Sequence, residues 1–187
     1  MSRQPMLAPG RLVLIVGGSG VGKDAMLSRA RVVLSGDARF VFPRRLITRS
    51  GDATEKHQSV TDAEFDALSE SGAMSLSWVA HGLRYGLPSS LEADIAVGRI
   101  VVCNVSRTII PAARQKFARI TVIEITAPLR VRSERIMQRG RENAEGVVQR
   151  LARTLQDSFI EPCDITIDNG GAIDDAVAAF VSELRRL

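Results

Sequence analysis

The chain has 187 residues, 45% of them apolar and 25% charged, enough to bury one ordinary core and too apolar for a disordered polymer. Aromatic residues make up only 4%, with one Trp and one Tyr, so the core is expected to be aliphatic, and a platform for stacking several single-stranded bases is poorly supplied. The net charge of +4 is unevenly placed: residues 1–50 carry nine Lys or Arg against two Asp, residues 128–153 carry seven Arg against three Glu, and the remainder is net acidic. Two local clusters suit a small polyanion held between two segments, whereas a nucleic-acid binder would need basic side chains tracking a backbone. An anionic small molecule is expected as partner, with no nucleic acid. Cys103 and Cys163 have neither CxxC spacing nor His partners at zinc intervals, which excludes a zinc site or disulfide scaffold. The first apolar run, Leu12 to Val16, is too short for a signal segment or a membrane span, so a cytoplasmic protein with no membrane partner is expected.

Arg11-Leu-Val-Leu-Ile-Val16 reads as a strand buried on both faces of a parallel sheet, followed by a helix over residues 23 to about 34. Residues 40–46 are a second strand candidate, weakened by Pro43, and residues 48–60 read as a polar loop. Thr61-Asp-Ala-Glu64 predicts a capping box opening a helix to about Ser71. Residues 74–80 alternate as a half-buried strand does, and His81-Gly-Leu-Arg-Tyr-Gly86 returns the chain as a turn or hairpin. This insert has the pattern of a small antiparallel subdomain. A helix is expected at about 88–97. Beyond it, Arg99-Ile-Val-Val-Cys-Asn-Val105, Arg119-Ile-Thr-Val-Ile-Glu-Ile-Thr126 and Asp164-Ile-Thr-Ile167 alternate with helical sequence, which implies βαβ crossovers and a three-layer α/β domain. Ile173, Val177, Phe180, Val181 and Leu184 form one apolar stripe at helical period.

Gly17-Gly18-Ser19-Gly20-Val21-Gly22-Lys23 follows the first strand and opens the first helix, so backbone N–H groups and the helix N-terminus converge on one anion. Lys23 supplies a mobile charge for the β- and γ-phosphates. Such loops usually continue with Ser or Thr, where this chain has Asp24. Two unit charges about 4 Å apart interact by about 4 kcal/mol at an effective dielectric of about 20, so a carboxylate facing phosphate works only through a cation, and Asp24 is the expected Mg²⁺ ligand. The plainer alternative is that Asp24 only complements the helix dipole.

With this loop in place, the chain resembles the guanylate-kinase-type branch of P-loop kinases, and within it the ribose 1,5-bisphosphate phosphokinases. The residues that carry the likeness, over nearly the whole chain, are the phosphate loop ending in Asp24, Arg45-Leu-Ile-Thr-Arg49, Leu76-Ser-Trp78, Gly82-Leu-Arg-Tyr-Gly86, Asn104-Val-Ser-Arg107, Arg139-Gly-Arg-Glu-Asn143 and Arg150-Leu-Ala-Arg153. The resemblance implies a P-loop kinase fold with a central parallel sheet (core 1–47 and 87–187), an acceptor-binding insert at about 48–86 and a helical lid at about 135–153. It implies ATP and Mg²⁺, and conversion of ribose 1,5-bisphosphate into 5-phosphoribosyl 1-diphosphate, a reaction of bacterial phosphonate utilisation. Guanylate kinases read guanine with carboxylates, and the matching positions hold Ser77 and Ser106, while His57 stands where a phosphate-binding tyrosine is expected. Arg49 and Tyr85 remain at acceptor-phosphate positions, and Arg45 adds a second guanidinium. An acceptor with two phosphates and no base fits this set, the alternative for Arg45 being a solvated surface arginine.

The second arginine cluster resembles the lid, with Arg139 and Arg150 as the expected catalytic arginines beside Lys23, and Arg135 and Arg141 as further candidates; the alternative is a solvated helix face with pairs such as Arg141 and Glu145. An ionised phosphate acceptor needs no general base, so His57 and His81 are expected to be structural or peripheral. Asn104 and Ser106 follow a buried strand where related kinases often place a metal-holding carboxylate, a loss that Asp24 would offset. Asp168-Asn169-Gly170 resembles the segment lining the adenine pocket, although Asn-Gly is also simply a turn. A GMP kinase and a non-enzymatic guanylate-kinase-like binding module remain the competing functions, and a homodimer is left open.

Overall fold

The computed structural model describes residues 10–49, 57–138 and 162–187. Five parallel strands form the main sheet in the order β2-β7-β1-β8-β9. They are β1 (Arg11–Val16), β2 (Phe40–Val41), β7 (Ile100–Asn104), β8 (Ile120–Thr126) and β9 (Ile165–Asp168). The central strand β1 shows why its sequence is uniformly apolar. Val13 and Ile15 face one core with Met26, Ala30, Phe180 and Leu184, while Leu12, Leu14 and Val16 face a second core with Leu91, Ile95, Ile110 and Ala113. Helices α1 (Lys23–Val33) and α6 (Ile173–Arg186) supply the first layer, and α3 (Ser90–Ala96) and α4 (Ile110–Lys116) the other. A sheet covered on both faces demands strands of this kind. The three-layer α/β reading holds, and the stripe on α6 buries Val177, Phe180, Val181 and Leu184 as its period requires.

A second sheet, in the order β4-β3-β6-β5, stands over one edge of the first. Its strands are β3 (Leu46–Ile47), β4 (Gln58–Ser59), β5 (Met74–Ala80) and β6 (Leu83–Pro88). β5 and β6 form a hairpin closed by His81 and Gly82, whose φ values of 54° and 72° are those a two-residue primed turn needs. Helix α2 (Asp62–Glu70) opens on the full capping box: Glu64 N–H donates to Thr61 Oγ1 at 3.2 Å, and Thr61 N–H to Glu64 Oε2 at 2.7 Å.

Four local expectations need correction. Residues 40–46 are not one strand: Pro43 lies between β2 and β3, which belong to different sheets, because a residue without an N–H cannot continue a ladder. The polar stretch 48–60 contains β4, which pairs with β3 in parallel, so the insert is not purely antiparallel. Pro88 ends β6, and the following helix starts at Ser90. Ser77 is exposed on β5 and lies away from the cavity described below, because the alternate residues Trp78 and Ala80 take the inner face.

Candidate functional site

The C-terminal ends of β1 and β7 open into a cavity of about 560 Å³ between the main sheet and the second sheet, the crevice position expected for a ligand in an open parallel sheet. One wall is the loop from Gly17 to Lys23. Gly22, the N-cap of α1, has φ 91° and ψ 18°, a left-handed conformation open to glycine at little cost. A Cβ there would lie 2.5 Å from Asn169 Nδ2. Asn169, only 1% exposed, uses that amide to donate to Val21 O at 2.7 Å and so pins the loop to the end of β9. On another side α5 (Leu129–Gln138) holds the loop through Arg132 Nε to Ser19 O at 3.0 Å and Arg135 Nη1 to Val21 O at 3.5 Å. The loop backbone is thus fixed from two directions before any ligand arrives.

Lys23 folds over its own loop, donating to Gly17 O at 2.5 Å and Gly18 O at 3.1 Å. Burial, opposed by Asp24 and reinforced by Arg45, Arg107 and Arg132, pushes its pKa down to about 8. Asp24 lines the cavity with a side chain 69% exposed. Its Oδ1 accepts from Asn104 Nδ2 at 2.8 Å and lies 3.7 Å from Arg45 Nη2. Asn104, at the end of β7, is therefore a direct partner of Asp24.

The opposite wall is the second sheet. Trp78 and Tyr85 are register partners across β5 and β6, and their rings stack at 5.4 Å with 7° between planes, a cross-strand aromatic pair. Arg45 sits over the Tyr85 ring at 5.9 Å. With its side chain 23% exposed, Arg45 is no solvated surface group. Arg45, Arg49 and Tyr85 all border the cavity, as do Gly17, Gly18, Ser19, Gly20, Lys23 and Asp24 on the loop side. His57 and His81 border it too, so neither is peripheral. Trp78 and Arg107, to which the sequence reading gave no role, also belong to the lining. Arg139, Arg141 and Arg150 lie outside the described residues.

Among the described lining residues, Lys23, Arg31, Arg45, Arg49 and Arg107 face a single carboxylate, Asp24. A wall of this kind concentrates polyanions. No cluster of three or more His, Cys, Asp or Glu side chains gathers among the described residues. A divalent cation held here would therefore take one carboxylate and complete its shell with phosphate oxygens and water, an arrangement that suits Mg²⁺. No helix among the described residues is long and apolar enough to cross a membrane.

No family model matches the chain. Curated relatives cover it almost fully. It is 46% identical over 177 residues, covering 95% of this chain and 98% of the relative, to ribose 1,5-bisphosphate phosphokinase PhnN of Methylobacterium radiotolerans. It is 41% identical over 179 residues, 95% of this chain and 93% of the relative, to the protein of the same name in Brucella melitensis. A bifunctional ribose 1,5-bisphosphokinase-thymidine phosphorylase of Cupriavidus necator is 43% identical over 182 residues, 96% of this chain and 30% of the larger protein. Among solved structures, guanylate kinase from Anaplasma phagocytophilum superposes with a TM-score of 0.66 over 97% of this chain and 88% of that one, at 19% identity, a likeness of fold.

Proposed function

The chain belongs to the ribose 1,5-bisphosphate phosphokinase family, and on that premise we propose that it transfers the γ-phosphoryl group of ATP to the 1-phosphate of ribose 1,5-bisphosphate, giving 5-phosphoribosyl 1-diphosphate and ADP. The observation that carries this reading is the cavity lining: five cations and a single carboxylate among the described residues, with a phosphate loop on one wall and Arg45, Arg49 and Tyr85 on the other. Such a wall suits phosphates at both ends of a small acceptor. It offers a purine little to read: of the two positions that match guanine-reading carboxylates, Ser77 faces away and Ser106 lines the cavity with a hydroxyl only, and no carboxylate other than Asp24 lines the described part of the site.

The acceptor oxygen belongs to a phosphate that is already ionised at neutral pH, so no side chain has to remove a proton. A bond forms between that oxygen and the γ-phosphorus as the bond to the β–γ bridging oxygen breaks, and ADP leaves with the bridging oxygen. Residues Gly17, Gly18, Ser19, Gly20, Val21 and Gly22 hold the nucleotide's phosphates with backbone N–H groups. Lys23 leaves the carbonyls of Gly17 and Gly18 to neutralise charge on the β- and γ-phosphates, while Arg45, Arg49 and Tyr85 align the acceptor. Catalysis is then alignment, exclusion of water and fixed positive charge. Asp24 would hold Mg²⁺, which would supply neutralisation of phosphate charge. Arg139 and Arg150 complete the set on sequence grounds, as guanidinium groups delivered to the transferring phosphoryl. A cytoplasmic setting and a place in phosphonate metabolism belong to the same proposal, and the likeness to the family supports them.

A coupled assay for ADP release tests the reading with ribose 1,5-bisphosphate and, separately, GMP as acceptors. Release with the sugar bisphosphate and not with GMP is expected. Turnover of GMP alone would assign a nucleoside monophosphate kinase, and turnover of neither would leave a binding module.

A further inference from the structure

The chain leaves β7 at Asn104 and turns into a short 3₁₀ segment, Arg107–Ile109, capped by Ser106, whose Oγ accepts from Thr108 N–H at 3.4 Å. Ile109 packs in the same core as Leu76 and Trp78 of β5, so this turn is wedged between the main sheet and the second sheet. Arg107 is 8% exposed, and it borders the cavity. Its Nη2 forms an ion pair with Glu124 Oε1. Glu124 stands on β8 beside Val16, the last residue of β1 before the phosphate loop, and is not part of the cavity wall.

A guanidinium taken out of water is costly unless a partner or a ligand compensates it. An ion pair that merely filled the core would serve as well with two apolar side chains. Here the two charges are arranged asymmetrically, with the cation at the cavity and the anion behind it, which is how a fixed donor is held ready for a ligand charge. The Arg107 charge is close enough to contribute to the lowered pKa of Lys23. Trp78 and Ala80 line the same cavity from β5.

We propose that Arg107 is a further phosphate-binding residue of this site, taking oxygens of the acceptor's reacting phosphate across from Arg45 and beside Lys23, and that Glu124 is its positioning residue. The proposal rests on the kinase reading above and assigns the acceptor contact to a position that family resemblance left without a role. It also gives a reason for a carboxylate at Glu124, half-buried on a strand otherwise made of apolar and small residues.

The test uses the full chain and three variants, Arg107→Lys, Arg107→Met and Glu124→Gln, with ADP release as the activity and calorimetric titration of the Mg²⁺ complex of a non-hydrolysable ATP analogue as a separate readout. Loss of one charged hydrogen-bonded contact corresponds to about 10–100-fold, so Arg107→Met is expected to lower kcat/KM for the sugar bisphosphate by that factor while analogue affinity stays within about twofold. Arg107→Lys keeps the charge without the planar fork and should fall between wild type and Arg107→Met. Glu124→Gln should raise the acceptor KM more than it lowers kcat. If Arg107→Met fails to fold, Arg107→Lys at an unchanged melting temperature decides alone. Wild-type acceptor kinetics in folded Arg107→Lys and Arg107→Met, or a loss confined to analogue binding, would overturn the proposal. A wild-type protein inactive on the sugar bisphosphate would instead overturn the kinase reading on which it rests.

Discussion

Replacing Gly22 by Ala perturbs the phosphate loop in a way whose cost can be worked out from two separate terms. The first is backbone strain: at φ 91° and ψ 18°, a residue with a Cβ pays about 1–2 kcal/mol. The second is steric. The new methyl would lie 2.5 Å from Asn169 Nδ2, an amide that donates to Val21 O at 2.7 Å from a residue only 1% exposed. Displacing it leaves polar atoms buried without partners, at about 1–3 kcal/mol. Together they amount to about 2–5 kcal/mol, or a fall in melting temperature of about 4–20 °C for a chain of this size. Gly72→Ala is the control, because its φ of 71° imposes strain while a Cβ there would meet nothing within 4 Å. Gly22→Ala should therefore unfold at a lower temperature than Gly72→Ala. Adding Asn169→Ala to Gly22→Ala should cost less than the two single changes combined, since the clash is then removed. Thermal unfolding by circular dichroism reads all four. Equal melting temperatures for Gly22→Ala and Gly72→Ala, or strict additivity in the double variant, would refute the role given to Asn169 as the pin of the loop.

Further outcomes are expected at Asp24, Lys23 and Trp78. Asp24→Asn keeps the shape of the side chain and its neighbour Asn104 but removes the charge, so ATP-analogue affinity should lose most of its Mg²⁺ dependence in calorimetric titrations; an unchanged dependence would contradict Asp24 as the metal ligand. Asp24→Ser should behave likewise, and Asn104→Asp added to it should restore the dependence, because the two side chains already meet at 2.8 Å. Lys23, lowered to about 8 from an ordinary 10.5 mainly by burial, is charged below about pH 8 in the protein alone, and a phosphate beside it raises its pKa again. Nucleotide binding should thus take up a proton above pH 8 and weaken up to about tenfold per pH unit there, with little change below; measured affinity that is flat from pH 7 to 9.5 would contradict this. The same shift makes the unfolded chain bind the extra proton between pH 8 and 10.5, so this group's contribution to folding stability grows with rising pH across that window. Trp78 is the only tryptophan and stacks on Tyr85 at the cavity, so sugar bisphosphate binding should change its fluorescence, and Tyr85→Leu should abolish most of that change.

Where sequence legibility was high, a single segment carried its own reasons. The run Leu12 to Val16 is apolar on both parities and ends in glycines, so strand, loop and helix could be read together, and the structure confirms the α/β fold they imply. Thr61 and Glu64 satisfy each other's neighbouring amides, a purely local bargain. Legibility failed where partners are distant. β3 is two residues long and is defined by Gln58 on one side and Gly86 on the other, so nothing within residues 40–47 marks it. Whether Ser77 or Trp78 faces the ligand depends on which face of β5 the main sheet covers, which alternation alone leaves undecided. Arg107 follows a strand of five buried residues, and a charge in such a place was the available cue; its carboxylate partner lies seventeen residues on, on another strand. The site residues on the loop and the insert come together around one cavity, apart from Val21, whose side chain is buried in the core.

Phosphorus NMR of a reaction mixture containing the protein, ATP, Mg²⁺ and ribose 1,5-bisphosphate tests the central claim most directly, because it shows which phosphate receives the new group. The expected result is loss of the resonance of the 1-phosphate and growth of a coupled diphosphate pair, with the 5-phosphate resonance persisting and ADP accumulating in equal amount. An unchanged sugar bisphosphate spectrum, or a diphosphate built on the 5-phosphate, would contradict it.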